Sequence, residues 1–419
     1  MLRPYHLLFL FSLIPAWAQG LAPHGFADAR FGTRTGDDPL QRDIALAELR
    51  LELEFNHLGE RSELMVRADL RYDDLDADHW QLDLERGSGP LDLREAWLQF
   101  SPTDLVDVKL GRQILTWGTG DLVFINDLFP KDWQSFFSGR DTEYLKAPSD
   151  ALMASFFPSF GSVDVVYLPA FDGDRYLTGE RFSIYNPDGG ATGRANPVIV
   201  DPLNRWFEDD EVTLRVSGNK GGMEWALYGY DGYWKSPQGF NPETGNAIFP
   251  GLRVLGASLR GTLGKGLFHA ELGHYNSKED GAGSNPLLPN GEWRYLVGYE
   301  RELGTNFTGA FQYYVEHMRH YGAYAQSLPD GAVKKDRNRQ VITQRYTLRR
   351  MKTNLMMSLF VYYSPSDKDG YARPAVNYKM NDDWQLGMGG NIFWGEQPTT
   401  FFGQFEDGSN LYTSLRYSF

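Results

Sequence analysis

Four arginines share one parity in residues 337–349: Arg337, Arg339, Arg345 and Arg349, with Val341, Thr343 and Thr347 between them. In an extended strand this spacing turns all four guanidinium groups toward one face. Such groups steer and hold anions; they do not break bonds. Alternation in neighbouring segments puts Arg294, Arg373, Lys379 and Arg416 on the same inward parity. Early segments add Glu48, Glu52, Glu54, Glu63 and Asp69, interleaved with Arg50, Arg67 and Arg71. A basic wall opposite an acidic one sets up a transverse field that orients polar solutes and excludes lipophilic ones. The plainer alternative is that these charges pair with one another and fill an interior.

Bond-making chemistry has little support. His317 and His320 lie three apart in "HMRH", which throws them to opposite faces of a strand and argues against a shared metal. The chain has no cysteine, Walker-type loop or nucleophile elbow, and "GTGD" at 118 lacks the third glycine of a nucleotide-binding turn. A hydrolase built on a barrel wall needs Ser or Asp paired with His. By parity His269 is inward and His274 outward, and neither has a convincing partner. Asp127, Asp132 and Asp141 can in principle bind Ca2+, but isolated acids in loops are usually solvated. The sequence therefore nominates no catalytic residue, metal or cofactor.

The elements that must carry these charges are strands. Residues 45–55, "ALAELRLELEF", alternate Ala47, Leu49, Leu51, Leu53 and Phe55 with Glu48, Arg50, Glu52 and Glu54. The same period of two runs through residues 62–72, 293–299 and 384–394. Connectors take turns between two classes. Short ones fall at 57–61 and near 102, 158, 219, 264, 304, 351 and 381. Long ones fall at 35–43, 74–92, 117–149, 171–209, 232–252, 277–292, 318–338, 364–370 and 396–408. This alternation predicts an all-β fold: a single closed antiparallel transmembrane β-barrel of about 18 strands, 16 being the alternative, with short periplasmic turns and long extracellular loops. "GFADARFGTR" at 25–34 is the weakly patterned first strand.

The first residues, "MLRPYHLLFLFSLIPAWAQG", place Arg3 and His6 ahead of an apolar run, followed by an Ala-Trp-Ala cleavage site before Gln19. Residues 1–18 read as a secretory signal peptide and 19–419 as the barrel; the run falls short of the about 20 apolar residues of a membrane anchor. Arg3 is the only formal charge in the leader, so the remainder has 40 of the 41 basic residues against 55 acidic ones. That acidic balance argues against a nucleic-acid partner. The chain closes on "NLYTSLRYSF", with Leu411, Thr413, Leu415, Tyr417 and Phe419 on one parity. Outer-membrane barrels end in such a strand with a terminal Phe. Tyr417 and Phe419 are thus expected to serve as an assembly signal for the barrel-assembly machinery and to sit at the periplasmic interface.

The stretch from Val108 to Ala151, "VKLGRQILTWGTGDLVFINDLFPKDWQSFFSGRDTEYLKAPSDA", with "LDLREAWLQFSPTD" upstream, resembles outer-membrane barrels of the alginate-export type and the porin-like group around them. The resemblance implies that Arg112, Gln113, Trp117 and Gly118 mark the bend from strand into an inward-folding loop, and it implies an 18-stranded barrel. Independently, Pro130 and Pro148 bracket a segment rich in Phe, Trp and charge. A loop of about 30 residues this aromatic packs onto an inner wall rather than hanging in water. Residues 117–149 are thus expected in the lumen, with Asp127, Asp132 and Trp133 in the constriction; the alternative is an outer lid.

These readings converge on an outer-membrane channel of a Gram-negative bacterium, in contact with lipid and lipopolysaccharide, passing small hydrophilic and anionic solutes. The alternatives are a conduit for an acidic exopolysaccharide served by a periplasmic export complex, an outer-membrane hydrolase, and a barrel plugged by Phe136, Phe137 and the rest of the loop.

Overall fold

The computed structural model describes residues 24–76, 78–186 and 190–419. The expected leader, residues 1–18, lies outside the described residues. One sheet contains 18 strands. In chain order they are β1 His24–Arg34, β2 Ile44–Leu58, β3 Ser62–Asp73, β4 Leu91–Thr103, β5 Val106–Gln113, β6 Ser149–Phe156, β7 Ser162–Leu168, β8 Glu211–Lys220 and β9 Met223–Tyr233. The second half comprises β10 Gly251–Leu263, β11 Gly266–Ser277, β12 Glu292–Gly304, β13 Phe307–Met318, β14 Asn338–Arg350, β15 Leu355–Ser364, β16 Asp369–Lys379, β17 Trp384–Gly395 and β18 Asn410–Ser418.

Each strand pairs antiparallel with the next, and β18 pairs with β1 from Phe26↔Ser418 to Arg34↔Asn410. Beyond the last ladder pair, Gly25 N donates to Phe419 O at 3.2 Å and Phe419 N to Gly25 O at 3.0 Å. Hydrocarbon offers no water to an unpaired amide, so a spanning sheet must close on itself. The weakly patterned first strand is therefore a full member of the ring. Its outer parity contains Phe31, exposed, while Asp28 and Arg30 are buried within.

The period of two sorts the side chains. Leu49 and Leu53 of β2 are exposed on the outside, whereas Glu48 and Arg50 are buried inside. Leu255 and Met388, 63% and 60% exposed, continue the apolar belt on β10 and β17. One irregularity adds charge to the interior. The β3–β4 register shifts between Arg67 and Ala68, and this bulge turns both Arg94 and Glu95 inward, where they are buried.

All eight short connections lie where the sequence places them, between β2–β3, β4–β5 and so on to β16–β17. One expected long loop is corrected: between β15 and β16 only residues 365–368 separate the strands, not 364–370. Lys368, with φ 53°, closes this turn by donating its N–H to Ser364 O at 2.8 Å. A left-handed turn residue at a lysine leaves little sequence signal, because glycine or asparagine is the usual choice there.

The core is not between layers but inside the ring. Ile125, Phe136, Phe137 and Leu145 of the loop after β5 pack with Phe182 of the loop after β7 and Phe402 and Phe405 of the loop after β17. Inward wall residues Tyr275, Tyr362, Tyr371 and Phe393 complete the cluster.

At the turn side, Trp384, Tyr417 and Phe419 form an aromatic run with centroids 5.0 and 6.2 Å apart. Phe419→Ala is expected to lower the yield of folded barrel in the membrane severalfold while leaving the fold of the assembled fraction unchanged. Heat-modifiable migration on gels measures both, and equal yields would remove Phe419 from any assembly role.

Candidate functional site

The connection 114–148 leaves the wall at β5 and crosses the lumen. Gln113, fully buried, anchors its root by donating to Ala151 O at 2.9 Å. Trp117 packs edge-on against Phe129, 5.1 Å between centroids. Gly118, at φ +82°, then lies over Glu271 of β11; a Cβ there would come within 3.0 Å of Glu271 Oε1. The Glu271 carboxylate collects the loop's donors: Thr119 N, Gly120 N at 2.7 Å, and Asn126 through its N at 3.2 Å and Nδ2 at 2.7 Å. Gln312 of β13 accepts from Asp121 N at 2.7 Å and donates to Asp121 O at 2.8 Å. The Tyr362 and Tyr275 hydroxyls donate to the carbonyls of Leu122 and Ile125.

The loop then turns back. Asp127 pairs with Lys131 at 3.0 Å and accepts from the Thr116 hydroxyl at 2.8 Å. Asp132 caps the short helix α1, Trp133–Ser138, by accepting from Ser135 N at 2.7 Å, and lies 3.4 Å from Arg175. Trp133 donates to Asp174 at 3.0 Å. Beyond α1, Arg140 lies between Glu48 at 2.5 Å and Asp73 at 2.9 Å. The connection 114–148 is therefore tied to inward residues on both flanks of the wall, Glu271 and Gln312 on one and Glu48 and Asp73 on the other.

The arginine stripe is inward, but most of it does not stand free. Arg345 is bound to Asp121 of the loop at 2.8 Å. Arg339 pairs with Asp367 at 2.7 Å and Glu316 at 3.4 Å. Arg294 pairs with Glu292 and stacks 4.0 Å from the Tyr275 ring centroid. Arg416 reaches Asp28 at 3.1 Å and also Asp141, and Lys379 meets Asp382 at 3.4 Å. Arg373 donates to the Arg140 carbonyl at 2.5 Å and lies beside the Phe136 ring. Arg349, exposed on the inward parity at the periplasmic end, has no ion pair among the described residues. Arg337 precedes β14 and is exposed at the rim, so the stripe begins at Arg339.

The acidic side is likewise occupied. Glu48 holds Arg50 and Arg140, Asp69 pairs with Arg50, and Glu52 accepts from the Tyr144 hydroxyl at 3.2 Å. The expected transverse field across open water is replaced, at these positions, by ion pairs, some with the crossing loop and others within the wall and its turns. Charges inside a narrow low-dielectric space pair when a partner is within reach.

Arg112 stands one residue before the end of β5, at the bend into the loop. It lies on the outward parity at the extracellular rim, bound to its cross-strand partner Asp150 at 2.7 Å, to Glu85 at 3.3 Å and to the carbonyls of Leu84 and Leu93. Glu85, Asp150 and Asp172 form a carboxylate group whose oxygens lie within 4.8 Å of one another. Burial, joined by the charge of Glu85, pushes the Asp172 carboxyl well above its ordinary range. The Arg112 guanidinium supplies Glu85 and Asp150 with a cation. His317 faces outward against Asn338 at 2.6 Å, while His320 sits in a left-handed conformation before a helix, so the two do not converge. His269 bonds Gln312 at 3.1 Å, and His274 accepts from Arg319 at 2.9 Å.

Sequence reasoning missed Glu271, Gln312 and Arg140, the residues that fix the loop. Glu271 was accessible: it is the acid on the inward parity of "GLFHAELGHY". Arg140 lies in a segment without period, so nothing in its spacing identifies Glu48 and Asp73 as partners.

No protein-family model matches the chain, and no curated protein does. Solved structures match over nearly the full length. Pseudomonas aeruginosa OccK5 (OpdH) is 8% identical, covering 95% of this chain and 96% of its own, with a TM-score of 0.54. OccK11 (OpdR) of the same organism is 9% identical over 94% and 95%, with a TM-score of 0.52. A triple mutant of the Rhodopseudomonas blastica porin is 9% identical over 95% and 100% and superposes more loosely, at 0.42. At these identities the likeness is one of fold. The chain is a closed 18-stranded antiparallel transmembrane β-barrel, similar in fold to OccK5 and OccK11, with one loop folded across its lumen.

Proposed function

We propose that this barrel is an outer-membrane channel for the passive passage of small hydrophilic solutes, anions preferred, past the loop 117–149. The observation that carries this reading is the inward wall: on strand after strand it bears charged and amide side chains, while the outward face is apolar. A barrel that served only as a scaffold has no need of Arg349 and Arg345 on a wall still partly open to water, Arg345 at 36% side-chain exposure. Two further features favour anions. Arg349 carries no acid partner among the described residues, and Arg345 is countered by the single loop acid Asp121.

A second reading, a plugged barrel, is favoured by one observation. Phe136 and Phe137 are only 2% and 1% exposed within the lumen. A conduit for an acidic polysaccharide requires a continuous wide passage, and the aromatic cluster works against it.

Conductance of the purified protein in a planar bilayer, with reversal potential under a salt gradient, separates these readings. Discrete anion-preferring steps are expected; silence from well-folded protein would favour the plug. Replacing Arg345 and Arg349 together by Gln is expected to move the reversal potential toward cation preference, because it removes two fixed charges and frees Asp121. Unchanged selectivity would take both arginines out of the pathway.

A further inference from the structure

Beneath the first leg of the crossing loop, the wall contains a cavity of about 340 Å3 that lies away from the arginine stripe. Gln99 of β4, Lys109 of β5, Met153 of β6 and Arg215 of β8 line it from the wall, and Leu115 and Trp117 of the loop line it from above. On these strands the cavity sits toward the periplasmic end, below the constriction.

Its chemistry has two parts. Leu115 and Trp117 are 7% and 8% exposed and, with Met153, form an apolar surface on one side of the cavity. Around that surface stand separated charges of both signs. The Lys109 ammonium lies 3.8 Å from the Trp97 ring centroid and has no carboxylate at ion-pair distance among the described residues. Asp107, two residues earlier on the same face and also lining the cavity, accepts one hydrogen bond from the Ser101 hydroxyl at 2.6 Å. Its other oxygen has no protein donor among the described residues. Arg215 is fixed by Asp164 at 2.8 Å and rests 5.0 Å from the Trp117 ring centroid, so its charge is matched. The two unmatched groups, Lys109 and Asp107, are thus neighbours of opposite sign beside an apolar floor.

A simple anion would satisfy Lys109 and be repelled by Asp107; a simple cation would meet the reverse. A solute with an ammonium and a carboxylate on one carbon satisfies both. We propose that this cavity is a binding site for a small zwitterion with an apolar or aromatic body, of the α-amino acid type. Its carboxylate would meet Lys109, its ammonium Asp107, and its side chain the Leu115–Trp117–Met153 surface. The inference rests on the lumen being a solute pathway, and it narrows what pauses on this wall. Lys109 held against Trp97 is pre-positioned, which limits the entropy lost on binding.

Calorimetric titration of the full-length barrel in micelles tests this with three probes: L-phenylalanine, 3-phenylpropionate and 2-phenylethylamine. Phenylalanine is expected to bind saturably, and each analogue about tenfold more weakly, the cost of one charge-assisted contact. Lys109→Gln should weaken phenylalanine and phenylpropionate but not phenylethylamine; Asp107→Asn should weaken phenylalanine and phenylethylamine but not phenylpropionate. Met153→Trp, which fills the cavity without changing charge, should abolish binding and serves if a charge variant fails to fold. Absence of saturable binding, or binding indifferent to all three variants, would overturn the proposal. So would phenylpropionate binding more tightly than phenylalanine. A conducting barrel that ignores phenylalanine would defeat this inference alone; binding without conductance would defeat the channel alone.

Discussion

Deletion of residues 121–146 is expected to leave the barrel closed and to raise its single-channel conductance several-fold. The ring does not depend on the loop, because β5 and β6 pair directly from Val106↔Phe156 to Gln113↔Ser149. Gln113 and Ser149 are ladder partners, so the residues that remain span the gap without strain. What leaves is most of the material that crosses the lumen: α1 with Phe136 and Phe137, Asn126 with its two bonds to Glu271, and Arg140, while Thr119 and Gly120 stay on Glu271. Deletion also strips Asp121 from Arg345 and Asp141 from Arg416, so the current should become more anion-selective as it grows. Loss of packing partners for Phe182, Phe393, Phe402 and Phe405 costs about 1.5–3 kcal/mol for each side chain left wet, and melting should shift downward accordingly. Unchanged conductance in a correctly folded deletion would mean that the loops after β7 and β17 close the lumen by themselves.

Arg140→Ala is the largest expected effect of a single substitution. Arg140 is 4% exposed and holds Glu48 and Asp73, which are paired across adjoining strands and are themselves buried. Arg50 remains on Glu48 and Arg181 on Asp73, so the acids keep one cation each. Even so, breaking one partner out of a buried ionic cluster costs about 3–5 kcal/mol, far more than an exposed pair. The expected outcome is a barrel that still assembles but whose loop undocks: limited proteolysis should cut between residues 117 and 149, and the current should flicker where the wild type is steady. Arg140→Lys should recover part of the docking, since it keeps the charge but not both contacts. Protease resistance equal to wild type in the alanine variant would show that the aromatic cluster alone holds the loop.

The strands and short turns were legible because lipid on one side and water on the other force a repeat of two. Glu48, Arg50, Glu52 and their outward leucines could be assigned to faces without any structure. The turn at 365–368 was not, because Lys368 adopts a glycine-like conformation. Nor was the bulge that brings Arg94 and Glu95 to the same side, since a single extra residue leaves no mark on composition. The site was legible in halves. Trp117, Gly118, Asp132 and Trp133 fall in the irregular connection that the aromatic-rich stretch marks, and Arg112 stands at the end of β5 where that connection begins, its side chain on the outward parity. The partners of the inward charges escaped detection for a common reason. Asp121, Arg140 and Asp141 lie on an irregular path, and no periodicity predicts which wall residue an irregular path will meet.

The seam between β1 and β18 also governs the order of events during assembly. Every other ladder in the ring joins strands that are neighbours in the chain, whereas this one joins residues 26–34 to 410–418. Local hairpins can therefore form early and independently, but the ring stays open, with two bare strand edges, until its most distant partners meet. Such edges invite pairing with other chains. Such a chain must be kept from its neighbours until those edges meet, and the slowest step of its assembly is expected to be the formation of that last ladder.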